Sequence, residues 1–257
     1  MSGADRLLVL TWHAVDERAS VISTPPGRFR RQLDQLAEHG CRGMGLAEAF
    51  RQRAAAGRFP REAVVLTFDD GYRSVVEHAL PALGAHGFTG TVFLASGLVG
   101  LSADRARARN PALDRELLDR DLLDWDEAAA LRQAGWEIGS HSVSHPDLTR
   151  LDAAAQAREL GDSKAQLEQG LNISVRSFAY PYGRLNRSVR DAAAHHYDFA
   201  CTTRLAHHPG DGDPLRVDRI DMYYMQDPDR FARLLAGGLD VWLPLRRALR
   251  AVRRLAH

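Results

Sequence analysis

Ala63-Val-Val-Leu-Thr-Phe-Asp-Asp-Gly71 is the stretch on which the fold turns. An apolar, β-branched run proceeds without a polar break and then stops at two carboxylates and a glycine. A short continuous run closed by a turn signal reads as a strand buried on both faces, the habit of strands in parallel sheets. Asp69 and Asp70 then fall at the strand's C-terminal end, where α/β folds carry their chemistry. Taken alone, Asp-Asp-Gly is also an ordinary Asx-capped turn.

Working outward, the same alternation repeats. Leu7-Leu-Val-Leu10 reads as a buried strand leading into Trp12-His13, and Phe29, Leu33 and Leu36 mark a helix over 29–39 that stops at Gly40. Downstream come a helix over 74–86, a strand at 91–94, a helix over 126–133 and a strand at 136–139. A long amphipathic helix follows over 152–169, with Asp152 as its N-cap. Strands at 177–180, 199–202 and 217–222 flank a helix at 187–195, and the Arg- and Asp-rich residues 101–122 read as a surface excursion. Strand–helix units thus recur about seven times on short connections, which predicts a parallel sheet covered by helices. No Pro/Gly/Ser linker divides the chain. Residues 1–238 read as one catalytic domain, and 239–257 as a separate basic helix.

Composition narrows the function. The chain has 257 residues with 45% hydrophobic and 26% charged, ordinary globular values that exclude disorder, collagen and coiled coil. A net charge of +1 gives no electrostatic reason to expect a nucleic-acid binder. Lys164 is the only lysine, which we attribute to coding composition. Cys41 and Cys201 cannot make a disulfide scaffold and read as free thiols in a reducing compartment. The first apolar run is too short for a secretory leader, and no window approaches the roughly 20 apolar residues of a membrane span. With Met1 as the true start, the expectation is a cytoplasmic protein.

Four strand ends carry the candidate chemistry: Trp12-His13, Asp69-Asp70-Gly71, Ser140-His141-Ser-Val-Ser-His145 and Pro181-Tyr182-Gly183. His141 and His145 are spaced so that one turn presents both imidazoles together. Two histidines and an aspartate suit an open site for Zn²⁺ or a similar divalent metal. The adjacent pairs His195-His196 and His207-His208 cannot share a face and read as surface.

Together, Thr67-Phe-Asp-Asp-Gly71, Ser140-His-Ser-Val-Ser-His-Pro146 and Phe178-Ala-Tyr-Pro-Tyr-Gly183, in that order, resemble the polysaccharide deacetylase family (NodB-homology domain, carbohydrate esterase family 4) over nearly the whole chain. The resemblance implies a distorted (β/α) barrel of about seven parallel strands and metal-dependent removal of N-acetyl groups from amino sugars. By position it makes Asp69 the catalytic base, Asp70, His141 and His145 the metal ligands, and the Tyr182 backbone N–H the oxyanion donor, in a loop fixed by Pro181 and Gly183. Two departures stand out. Many members carry an Arg that orients the base in the third motif, where this chain has Ala179; Arg176 sits too early to replace it and reads as surface. No late Leu-x-His supplies the general acid. One branch, which resembles poly-N-acetylglucosamine deacetylases, places an aromatic-His pair after the first strand, and His13 is the acid on that reading. Trp12, Trp125, Tyr180, Pro181 and Tyr182 are candidates to line a sugar site, with core packing the competing reading for the aromatics.

Two alternatives to a sugar deacetylase stay open. One is an amidohydrolase of the same fold acting on a non-sugar or cyclic amide, and the other a non-catalytic carbohydrate-binding protein. The tail 239–257 adds a feature of its own. Trp242, Leu245, Leu249, Val252 and Leu255 recur at helical spacing among five arginines, so the tail nets +4 and the remaining residues, with 29 cations and 32 anions, net −3. It is either a last helix packed on the barrel or an interfacial helix for an anionic membrane surface, starting near Pro244.

Overall fold

A computed structural model describes residues 5–110, 113 and 119–255. Strands β1 (Arg6–Trp12) and β3 (Ala63–Phe68) run parallel, in register from Leu8 opposite Val64 to Trp12 opposite Phe68. All of β3 is buried, as the sequence pattern requires. From β3 the sheet continues through β4 (Thr91–Leu94), β5 (Glu137–Ser140), β6 (Ser177–Ala179) and β7 (Phe199–Cys201), every pair parallel. On the other side of β1 lies β9 (Ile220–Asp221), also parallel. Earlier on that same segment, Val217 bridges Cys201 of β7. The segment 217–221 therefore touches both the first and last strands, and a parallel-dominated sheet of seven strands curls into the distorted barrel. Two short strands stand outside this ring: β2 (Arg42–Met44), parallel on β3, and β8 (His208–Pro209), antiparallel on β1.

The two faces of the sheet pack into separate cores. Leu7, Val9, Val65, Phe93, Ala179, Cys201 and Val217 point inward to one cluster. Their neighbours Leu10, Trp12, Leu66, Phe68 and Phe178 point outward to a second, under the helices. The period-two alternation of side chains separates them. The covering helices are α1 (Pro26–Glu38), α2 (Leu46–Ala56), α3 (Leu80–Ala85), α4 (Ala103–Arg109), α5 (Trp125–Gln133), α6 (Ala153–Leu171), α7 (Arg187–Ala194), α8 (Pro228–Leu235) and α9 (Trp242–Leu255). Asp152 caps α6 by accepting from the Ala155 N–H, as read from the sequence.

The structure departs from the sequence reading in several places. β2 and α2 went unread, because a three-residue strand leaves no periodicity to detect. The predicted helix over 74–86 is a π-helical turn, Val75–Ala79, followed by α3. Pro81, without an N–H, cannot return the usual bond to Glu77, which favours the wider turn. The excursion at 101–122 contains α4, and its remaining residues are described only at 110, 113 and 119–122. The predicted strand 217–222 forms a ladder only at Ile220–Asp221, with Val217 making a lone bridge. The basic helix α9 begins at Trp242, near the expected Pro244, and Leu239 before it and Leu243 within it join the outer core. No helix among the described residues is long and apolar enough to cross a membrane.

Candidate active site

Strand alternation sets which side chains meet. Leu7, Val9 and Thr11 face the barrel interior, so the next inward position beyond β1 is His13. Val65 and Thr67 face inward on β3, so the next is Asp69. His13 Nε2 accordingly lies 3.9 Å from Asp69 Oδ2. Asp70 would continue the outward series, but its φ of 71° turns it back. Four of the five non-glycine residues with positive φ among the described residues are Asp70, Ser142, His145 and Tyr182. Backbone strain held by surrounding structure gathers at functional sites, and here it gathers around one small cavity of 130 Å³ whose walls include His13, Asp69, Asp70, His141, His145 and Tyr182.

Asp70, His141 and His145 are all buried, with ligand atoms within 4.8 Å of one another. Asp70 Oδ1 is 3.5 Å from His141 Nε2 and 3.4 Å from His145 Nε2. His141 Nδ1 lies 2.7 Å from the Ala179 carbonyl, which can only accept. Nδ1 therefore donates to that carbonyl, which leaves Nε2, directed at Asp70, as the nitrogen that can serve a metal. Burial opposes ionisation of Asp70, but a hydrogen bond from His141 and the charge of His145 outweigh it and hold the carboxyl far below its usual range. Burial, reinforced by His141, pushes His145 down to about 4, so it is neutral at neutral pH. Its buried Nδ1 has no hydrogen-bond partner. A carboxylate and two converging imidazoles, with side-chain atoms as close as metal ligands sit, fit a divalent ion with an open coordination position. The histidine loop is held from outside: the Glu159 carboxylate on α6 accepts from Val143 N–H, Ser144 N–H and Ser144 Oγ at 2.7–2.9 Å.

The sequence reading missed the residue that orients Asp69. Arg219, fully buried, donates from Nη1 to Asp69 Oδ1 and from Nη2 to Oδ2, both at 2.7 Å. Its Nε bonds the Thr202 carbonyl, and Nη1 also reaches Thr11 and Thr67. Burial pushes the Asp69 carboxyl up, but Arg219 pulls harder and the net direction is down. Ala179, where the third motif carries Arg in many relatives, is buried in the inner cluster beside Phe93, the ring that Arg219 lies over. A guanidinium delivered by the segment 217–221 thus makes the contact that the third motif cannot. One signal was readable: an arginine inside Val217-Asp-Arg-Ile220 must find a buried anion if that segment is a strand. Arg176 is half-exposed and pairs with Asp198, away from the site.

The remaining predicted residues divide. Tyr182 reaches the cavity, and its ring meets His145 edge-on at 4.7 Å. Pro181 is buried in the turn before it. Tyr180 touches the cavity wall, but its hydroxyl is donated inward to the Leu215 carbonyl, which makes it a wall rather than a sugar platform. Trp12 is a correction: it faces outward from the barrel, stacks on Phe68 and donates its indole N–H to Gln32. The same alternation that brings His13 inward sends Trp12 under the helices. Trp125 is also corrected, since it opens α5 and packs against Gly170 of α6, outside the cavity. The surface reading of His208 fails too: it is 1% exposed, in β8. Cys41 and Cys201 are both free thiols, and burial pushes Cys201 up to about 12.

The family profile for polysaccharide deacetylases matches residues 56–199, more than half of the chain. The chain belongs to the polysaccharide deacetylase family. Among curated members, a Poly-beta-1,6-N-acetyl-D-glucosamine N-deacetylase from Staphylococcus aureus (strain MSSA476) is 25% identical over 173 residues, covering 64% of this chain and 55% of that protein. The chain spans about 55–61% of the length of the first curated relatives it matches. Among solved structures, IcaB from Ammonifex degensii superposes with a TM-score of 0.71 at 25% identity, covering 90% of this chain and 96% of that one. The Streptococcus pyogenes deacetylase PplD in complex with acetate superposes at 0.70 and 24% identity, over 85% and 92% of the two chains. The polysaccharide deacetylase fold expected from three motifs is therefore the fold found.

Proposed function

We propose that the chain is a metal-dependent N-deacetylase of an amino sugar. The observation that carries this reading is one buried cavity holding both an Asp70–His141–His145 ligand set and a second carboxylate, Asp69, kept ionised by Arg219. Similarity to the Staphylococcus aureus deacetylase and to IcaB supports the sugar amide as substrate class. Asp70, His141 and His145 would hold the metal, with Zn²⁺ the best match to this donor set. When bound, a divalent ion supplies Lewis acidity, polarising a carbonyl and making a water more acidic.

The chain's own residues do the rest. Asp69 accepts the proton of the attacking water, and Arg219 holds both carboxylate oxygens so that Oδ2, on the side of His13, stays fixed at the cavity. The Tyr182 backbone N–H donates to the oxygen that gains charge as the carbonyl is attacked. His13, at the cavity mouth and 3.9 Å from Asp69, donates a proton to the departing amine, which leaves poorly without one. The products are acetate and a free amino sugar. Ala179 in place of the Arg left room for an amidohydrolase of other amides. With Arg219 on Asp69, that reason lapses. Metal content and acetate release from N-acetylglucosamine oligomers, compared for wild type, Asp70→Ala and His141→Ala, test the proposal. Both signals should vanish together in the variants, and full activity in metal-free protein ends it.

We also propose peripheral contact with an anionic membrane surface through α9. Val241, just before α9, and Leu245 and Leu249 on it recur every four residues and are 83%, 59% and 49% exposed, beside the helix's arginines. Such contact suits a protein of the cell interior, as the two free thiols do. Flotation with anionic liposomes should lose the 1–238 truncation and retain the full chain. Equal behaviour removes the idea.

A further inference from the structure

A second cavity lies beside the candidate active site, and the mechanism above does not use it. It encloses 850 Å³, and Gly183 and Thr203 belong to the walls of both. That volume suits a small organic ligand. Its other walls come from residues 202–205 after β7, from β8, the turn Pro214–Arg216 and α9, and they bring Arg204, Arg216 and Arg247 together with His208, Asp213 and Asp218.

The charges are not balanced. Asp218 is paired with Arg204 at 2.8 Å, and Asp213 is held by a fork from Arg190 at 2.9 and 3.1 Å. Among the described residues, neither Arg216 nor Arg247 has a carboxylate within ion-pair distance. The three cavity arginines therefore share two carboxylates, one of them already held by Arg190 from outside. A second observation is independent of charge. His208 is 1% exposed, and neither ring nitrogen has a hydrogen-bond partner. Gly212 packs against its edge where no side chain would fit: a Cβ there would stand 2.6 Å from His208 Cε1 and 3.0 Å from Nε2. Buried polar groups without partners are rare in native proteins and mark places where something else bonds them. A neutral sugar has no use for two unpaired guanidiniums, whereas a phosphate matches their planar forks.

The geometry points to a subsite for a phosphate or diphosphate group, placed so that an amino sugar entering the catalytic cavity carries an anionic substituent into the arginine-lined one. The substrate class is then a sugar still attached to a diphosphate carrier, either a nucleotide or a polyprenyl lipid. The reaction preceding this enzyme would be a glycosyl or nucleotidyl transfer that makes the diphosphate link. The assignment of what is cleaved rests on the deacetylase reading, and the anion site itself does not.

Two measurements on full-length metal-loaded protein separate these parts. The first is calorimetric titration with inorganic pyrophosphate of wild type and of the Arg216→Ala/Arg247→Ala double variant. Any binding at the metal is common to both. We expect saturable binding that weakens by roughly tenfold or more in the variant. Absence of binding, or binding insensitive to the variant, overturns the site. The second is kcat/KM for acetate release from UDP-N-acetylglucosamine, from a farnesyl-diphosphate-linked N-acetylglucosamine and from a neutral N-acetylglucosamine oligomer. One diphosphate substrate should exceed the oligomer, the better of the two identifying the carrier, and the double variant should lower that ratio about tenfold. An unchanged ratio, or preference for the oligomer, overturns the substrate assignment. Variant-sensitive pyrophosphate binding without acetate release from any substrate upholds the anion site and overturns the deacetylase reading.

Discussion

Replacing Arg219 with Met should damage the protein in a way that a lost packing contact cannot imitate. The side chain is fully buried and shares two 2.7 Å bonds with an equally buried Asp69. Met keeps most of the apolar volume and removes the charge, so Asp69 is left ionised, buried and unpaired. Removing one partner of a buried pair costs about 3–5 kcal/mol. For a domain of this size that lowers the melting temperature by roughly 6–20 °C at ~2–4 °C per kcal/mol. Asp69→Asn alone strands the guanidinium and is also destabilising, but the double variant strands neither charge. Urea unfolding of the four proteins at pH 7 should give a favourable coupling of about 2 kcal/mol or more. The pH dependence supplies the sign. In wild type the Asp69 carboxyl lies below its unfolded value of 3.8, so its contribution is full above that pH and is lost as the pH falls through the folded value. Without Arg219 only burial acts strongly, and the folded value rises above 3.8. The variant's deficit should then shrink as the pH falls through the raised value, and the acid limb of its pH–rate profile should move up. Arg219→Lys, keeping charge without the fork, should fall between. Additivity within ~0.5 kcal/mol, or a deficit independent of pH, would refute the pairing argument.

Other perturbations have separate readouts. Gly183 sits at φ 63°, and a Cβ there would meet Thr203 Oγ1 at 2.1 Å; Gly183→Ala should destabilise by about 1–3 kcal/mol and impair acetate release by shifting the Tyr182 turn. Wild-type stability and turnover would show that the turn tolerates a side chain. Glu159→Gln removes the carboxylate that holds the histidine loop, and metal affinity by chelator competition should fall roughly 10–100-fold; an unchanged affinity would show that the loop is rigid without it. His208 is pushed down to about 4 chiefly by burial, so the native state favours its neutral form. That stability is complete above the unfolded value of 6.5 and declines as pH falls toward 4, by up to about 3 kcal/mol for this residue. The stability–pH slope of His208→Gln over that window should be shallower by about one proton, measured by urea unfolding; identical slopes would mean His208 titrates normally.

The sequence by itself determined the layout and most of the candidate site. Ala63–Phe68 is legible because a strand buried on both faces must be apolar throughout. Asp69, Asp70, His141, His145 and Tyr182 are legible because they follow strands directly, and strand ends converge on one edge of a parallel sheet. Short elements such as β2, carried by three residues, left no pattern to read. Only the tertiary structure decided which side of the barrel each residue serves. One step along β1 separates His13, at the cavity, from Trp12, in the outer core. It also decided how Asp69 is held. Arg219 lies 150 positions along the chain from Asp69, and no local spacing links them. The link exists because the segment 217–221 closes the curl of the sheet, carrying an arginine into an interior where a charge must find its opposite. The arginine-lined cavity has the same origin: the segment after β7, β8, a 3₁₀ turn and α9 meet there only after the chain has folded.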